Sequence, residues 1–137
     1  MNFKALLVLA VLAATSLGLA ACKGTQSDNL KEVKQQKAGD YTIAVLAPEG
    51  KISSGKNQFA LEFRRAADNQ PVDVGDVQVS SSMPMPGQPN MVAAVTVSKT
   101  PTPGRYTVTG TFDMKGGYDT SITFANGQKA VVSLKVQ

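Results

Sequence analysis

The chain has 137 residues, with fourteen Lys and Arg against ten Asp and Glu, one cysteine, no histidine and no tryptophan. Without histidine there is no Ser-His-Asp triad, no histidine base and no imidazole metal ligand, and one cysteine excludes an internal disulfide, a CxxC pair and a thiolate zinc cage. At 42% apolar and 18% charged residues the composition is that of an ordinary folding chain, long enough for one domain.

Met1 to Lys4 is a short n-region with one positive charge, Ala5 to Ala14 is apolar without a break, and a less hydrophobic Thr15 to Gly18 stretch follows. That is the layout of a secretory signal peptide, since the apolar run is short for a membrane span. The segment closes on Leu19-Ala20-Ala21-Cys22, which resembles the lipobox of bacterial lipoproteins. The resemblance implies removal of residues 1–21 and acylation of Cys22, as diacylglyceryl thioether and on its new amino group. Several acyl chains, palmitate among them, hold a protein firmly where one binds marginally. A plain signal peptide with Cys22 left free is the competing reading, but an unpaired exported thiol is a reactive liability. The chain is thus expected in the bacterial cell envelope, lipid-anchored and facing the periplasm. Lys23 stands where the common inner-membrane retention signal has aspartate, which favours the outer membrane over the inner.

Residues 22–39 read as a lipidated flexible tether, polar except for Leu30 and Val33. Lys31, Lys34 and Lys37 suit a spacer near anionic lipid, and no aromatic residue interleaves with them as a nucleic-acid surface requires. The globular domain is expected over residues 40–137.

There, two-residue alternation dominates. Tyr41, Ile43 and Val45 mark a first strand, Phe59, Leu61 and Phe63 a second, and Val77 with Val79 a third after the Asp68-Asn-Gln-Pro71 turn. Ala93, Val95 and Val97 line a fourth strand, Tyr106, Val108 and Phe112 a fifth, in which Gly110 signals a bulge or close packing. Tyr118 to Phe124 forms a sixth, and the Asn126-Gly127 turn leads into a seventh with Val132, Leu134 and Val136. Seven short strands with no convincing helix predict an all-β fold, an immunoglobulin-like antiparallel β-sandwich of Greek-key topology. A small closed barrel is the alternative. Ile43, Val45, Phe59, Leu61, Phe63, Val77, Val79, Val95, Val97, Tyr106, Val108, Phe112, Ile122, Phe124, Val132 and Leu134 are expected in the core.

Beyond the initiator there are four methionines. Met83, Met85 and Met91 fall within Ser81-Ser-Met-Pro-Met-Pro-Gly-Gln-Pro-Asn-Met91, and Met114 lies in Asp113-Met-Lys-Gly-Gly117. Used as core filler, methionine should scatter among strand positions, whereas here it gathers in loops and strand ends. Pro84 and Pro86 fix φ and hold their segment extended. Soft monovalent ions such as Cu(I) or Ag(I) favour thioether ligands, which need no deprotonation. A methionine site is one of the few metal sites an exported chain without histidine can build. The plainer reading is that the four methionines pack against one another at one end of the sandwich.

From about Tyr41 to Val136 the chain resembles the YtkA-like domain family, exported Ig-like modules similar to the FixH-like proteins and more distantly to periplasmic copper carriers. Ser82-Met-Pro-Met-Pro-Gly87, Pro103-Gly-Arg-Tyr106, Phe112-Asp-Met-Lys-Gly-Gly-Tyr118, Ser121-Ile-Thr-Phe124 and the Lys129 to Val136 strand carry the resemblance. It implies a methionine-proline loop and a later methionine segment at shared positions, placing Met83, Met85 and Met114 in a copper-handling context with Met91 as a fourth donor. Such proteins often add histidine, which this chain lacks, so only the Cu(I)/Ag(I) thioether version applies.

Other constellations are weaker. Asp68, Asp73 and Asp76 lack the spacing of a calcium loop and read as a solvated turn, and Arg64-Arg65 as a solubilising pair. No glycine-rich phosphate loop and no nucleophile–base pair is present, so an enzyme is not expected. Two functions compete: a membrane-anchored module that binds or delivers Cu(I)/Ag(I), and a metal-free interaction domain accessory to an envelope transport or oxidase assembly system. Both expect an envelope protein partner, and neither involves nucleic acid.

Overall fold

The computed structural model describes residues 29–137, so the leader and Cys22 lie outside the described residues. Eight strands follow one another with no helix among the described residues: β1 (Leu30–Ala38), β2 (Tyr41–Pro48), β3 (Gly55–Arg65), β4 (Gln78–Met83), β5 (Met91–Lys99), β6 (Arg105–Phe112), β7 (Gly116–Phe124) and β8 (Gln128–Val136). Their order across the sheet is β1-β2-β3-β6-β5-β4-β7-β8, every named pair antiparallel. The runs β3-β6-β5-β4 and β6-β5-β4-β7 are two overlapping Greek keys.

β5 makes this ladder into a sandwich. Met91 to Ala93 pair with β4, and Ala94 to Lys99 pair with β6, so the strand passes from one layer to the other at the Ala93–Ala94 step. At the opposite flank β1 approaches β8, with Gly39 beside Gln128, which brings the two layers toward closure. The expected sandwich is therefore present, with one strand more than the alternation predicts.

The extra strand is β1, which occupies much of the segment read as tether, and the folded part begins near Leu30 instead of Asp40. Its alternation is broken by a bulge between Glu32 and Lys34, and only Val33 and Ala38 pack against the core. A lysine-rich strand is a common way to blunt a sheet edge, and it leaves little apolar pattern to read.

Inside, aromatic rings gather at the two ends. Phe63 meets Tyr106 edge to face at 5.4 Å and lies tilted at 5.0 Å from Phe124, which in turn meets Tyr41 edge to face at 5.6 Å. Phe112 bridges Phe59 at 6.5 Å and Tyr118 at 5.0 Å. Gly110 marks close packing: a Cβ there would lie 2.9 Å from the Phe112 ring. Val77, Val79, Val95 and Val97 are only half-buried, a correction to the expected core. β4 and β5 pair over three residues alone, so their remaining lengths splay apart and this flank stays open to solvent.

Because all neighbours are antiparallel, connections alternate between two ends. The start of β1 and the β2–β3, β4–β5 and β6–β7 connections share one end. The β1–β2, β3–β4, β5–β6 and β7–β8 connections share the other. At this second end Asp73 accepts hydrogen bonds from the Gly75 N–H (2.8 Å) and the Tyr106 hydroxyl (3.2 Å), and Asp68 accepts from Gln70 N–H (3.1 Å) and Arg65 (3.3 Å). These aspartates thus organise the β3–β4 connection.

Glu62 is the buried acid of the sheet. It lies opposite Arg105 in the β3–β6 register, accepts Arg105 Nη2 at 2.6 Å, and pairs with Arg64 through Nε at 2.6 Å. Arg64 and Arg105 are therefore structural partners of one carboxylate, which corrects the solubilising role read for Arg64. Burial pushes the Glu62 carboxyl up, but the hydrogen bonds and charges of Arg105 and Arg64 outweigh it and hold it below its usual 4.5. A depressed acid contributes stability that is full above its unfolded pKa and fades as pH falls through the folded one. Glu62→Gln should cost about 1–3 kcal/mol at neutral pH. It should also flatten the decline in stability below pH 4.5. Urea midpoints against pH test this, and parallel curves for the two proteins contradict it.

Candidate metal centre

The β4–β5 and β6–β7 connections carry all four methionines to one end of the sandwich. Met83 is the last residue of β4, opposite Met91, the first of β5. Directly opposed residues of an antiparallel pair point to the same face with their β-carbons about 5 Å apart. Both therefore face inward, Met83 half-buried against the core and Met91 with its sulfur 4.0 Å from the Tyr118 hydroxyl.

β7 supplies the floor. Gly116 takes φ +145°, and a Cβ there would stand 2.8 Å from the Met83 sulfur. Glycine is needed here both for the backbone and for the thioether lying over it. Two residues on, Tyr118 is fully buried, and its hydroxyl satisfies itself on the Met114 backbone, donating to the carbonyl at 3.1 Å and accepting the N–H at 3.4 Å. That pins the β6–β7 turn while Met114 itself remains 43% exposed.

Met83 and Met91 thus lie side by side over Gly116 and Tyr118, and the Met114 backbone reaches the same tyrosine hydroxyl that the Met91 sulfur approaches. Met85 stands in the adjoining turn between Pro84 and Pro86, half-buried, its carbonyl accepting the Gln88 N–H at 3.1 Å. Neither Gly116 nor Tyr118 was singled out as part of the site by sequence reasoning. The usable signal was their position in Phe112-Asp-Met-Lys-Gly-Gly-Tyr118, directly after Met114.

Among the described residues no three His, Cys, Asp or Glu side chains group as metal ligands. The neighbouring polar contact is the buried hydrogen bond between Ser81 and Thr120 at 2.9 Å, one turn of the pleat from Met83. A concavity on the outer face, lined by Leu30, Pro48, Lys56 and Thr107 among others, holds no methionine. What the methionine end offers is soft, uncharged sulfur on a rigid sheet margin, with one sulfur-bearing residue at the surface.

An immunoglobulin-like sandwich with a methionine-lined end is the class these features define. The profile of the YtkA-like family matches residues 35–123, well over half the chain, from within β1 to near the end of β7. The chain belongs to the YtkA-like family. No curated protein matches it. Among solved structures it is similar to the Lin-41 filamin domain, at TM-score 0.50 and 14% identity, covering 76% of this chain and 98% of that one. That likeness concerns the fold alone. The ZirS C-terminal domain matches at TM-score 0.45 and 11% identity, covering 100% of this chain and 84% of that one.

The Met83–Gly116 contact gives a direct test. Gly116→Ala should destabilise the domain by about 1–3 kcal/mol, from strained backbone and a displaced thioether. In a Met83→Ala background the same change should cost about 0.5–1 kcal/mol less, because the sulfur it strikes is gone. Chemical denaturation of the four proteins measures that coupling, and strict additivity contradicts the contact.

Proposed function

We propose that this YtkA-like protein is a lipid-anchored module of the bacterial envelope that binds Cu(I) or Ag(I) through thioethers and passes the ion to a protein partner. The observation that supports the reading is the direct opposition of Met83 and Met91 in register beside Tyr118, whose hydroxyl holds the backbone of the exposed Met114. Soft monovalent ions favour such neutral sulfur donors. Met83 and Met91 serve as the fixed pair, and Met114 as the ligand that an incoming donor replaces. Met85, in the next turn, is the fourth donor. Transfer then proceeds by ligand exchange and no bond of a substrate is made or broken, so the module is a carrier and not an enzyme.

The packing of Met83 against the core supports a second reading. In it the methionines form an adaptable apolar contact surface for a partner in transport or oxidase assembly, with no metal.

Anaerobic Cu(I) titration against a competing chelator separates the two. Met→Leu replacements nearly conserve volume and keep the fold. The first reading expects one bound ion per chain, weakened at least tenfold by Met114→Leu and by Met91→Leu. Unchanged binding in both variants refutes the ligand assignment, and absence of binding in the parent protein favours the contact surface. The anchor has its own check: palmitate labelling and membrane fractionation should both be lost in Cys22→Ala.

A further inference from the structure

The start of β1 and the methionines lie at the same end of the molecule. The Asn29 carbonyl accepts the Glu49 N–H at 3.2 Å, in the connection that leads on to Ile52. Ile52 bridges to Val136, Val136 pairs with Gly116, and Gly116 carries the Met83 sulfur. The chain therefore enters the domain beside the methionine end.

Only Lys23 to Asn29 separate Cys22 from β1. Seven residues reach at most about 25 Å however they are arranged. Strands of eight to eleven residues make the sandwich about 25–35 Å long. A domain held at one end by so short a leash has little room to invert.

Charge permits this orientation. The methionine end presents exposed Lys31, Lys51, Lys56, Lys115 and Lys135 against Glu32, Glu49 and Asp113, with no ion pair among these residues. At the far end Arg65 is paired with Asp68, and Arg64 and Arg105 are held by Glu62. What remains there is Lys37, Lys99 and Lys129 against Asp40, Asp73 and Asp76, and the two arginines on the one Glu62 carboxylate leave this end net positive as well. Anionic headgroups therefore accept either end, and the leash decides which one meets them.

We infer that the methionine end faces an anionic phospholipid bilayer, with its lysines at the headgroups and its thioethers within one leash length of the membrane surface. The inference rests on the proposed anchor at Cys22. Any ion carried on the methionines is then taken up and released next to the membrane.

The chain has no tryptophan, so one introduced tryptophan reports alone. Chain 22–137 is coupled through the Cys22 thiol to a maleimide lipid in phosphatidylethanolamine–phosphatidylglycerol vesicles containing a dansyl-lipid acceptor. Gln88→Trp marks the methionine end and Gln70→Trp the far end, both at exposed positions. Energy transfer from Gln88→Trp should exceed that from Gln70→Trp severalfold. Equal transfer from the two, or greater transfer from Gln70→Trp, overturns the orientation. Chemical coupling keeps this result independent of acylation in cells, and no metal is used, so it stands or falls apart from copper binding.

Discussion

A tyrosine ring without exposed surface must still satisfy its hydroxyl, and Tyr118 does so at the margin of the sandwich. Burying the ring against Phe112 ties β7 to β6 at this end, and leaving the hydroxyl unpaired would cost about 1–3 kcal/mol. The partner it finds is the backbone of Met114, in the turn that joins those two strands. One buried polar group thereby fixes the turn, places Met114 at the surface, and sets its oxygen near the Met91 sulfur. The rest of the methionine end is arranged around that point.

β5 supplies the complementary constraint. It begins in one layer beside β4 and ends in the other beside β6, so its first residues belong to both halves of the molecule. The opposition of Met83 and Met91 follows from this short three-residue pairing. The same pairing leaves the flank beyond it splayed, which is why valines of β4 and β5 that alternate like core residues are only half covered. Stability at this end thus rests on few contacts, namely Gly116 under Met83, Ser81 with Thr120, and Tyr118 with Met114.

Much of the sandwich was legible because strands such as β6 and β8 are covered on one face and read by simple alternation, as in Tyr106–Val108 and Val132–Leu134. β1 was not, since its bulge shifts the period at Val33 and its exposed lysines look like those of a solvated spacer. Clustering of methionines in two connections was visible in the sequence, and antiparallel topology brings those connections together. The direct opposition of Met83 and Met91 was not visible, because register depends on how the Pro84–Asn90 loop closes. Tyr118 read only as a strand margin. Its importance comes from a hydroxyl whose partner is backbone, which leaves no mark on residue type.

Whether the proposed soft-ion site at the methionine end is built of sulfur alone is read by X-ray absorption at the copper edge of the anaerobically Cu(I)-loaded protein. The expected result is a scattering shell of sulfur atoms only, diminished in Met114→Leu. A shell dominated by nitrogen or oxygen, or one unchanged in that variant, would contradict it.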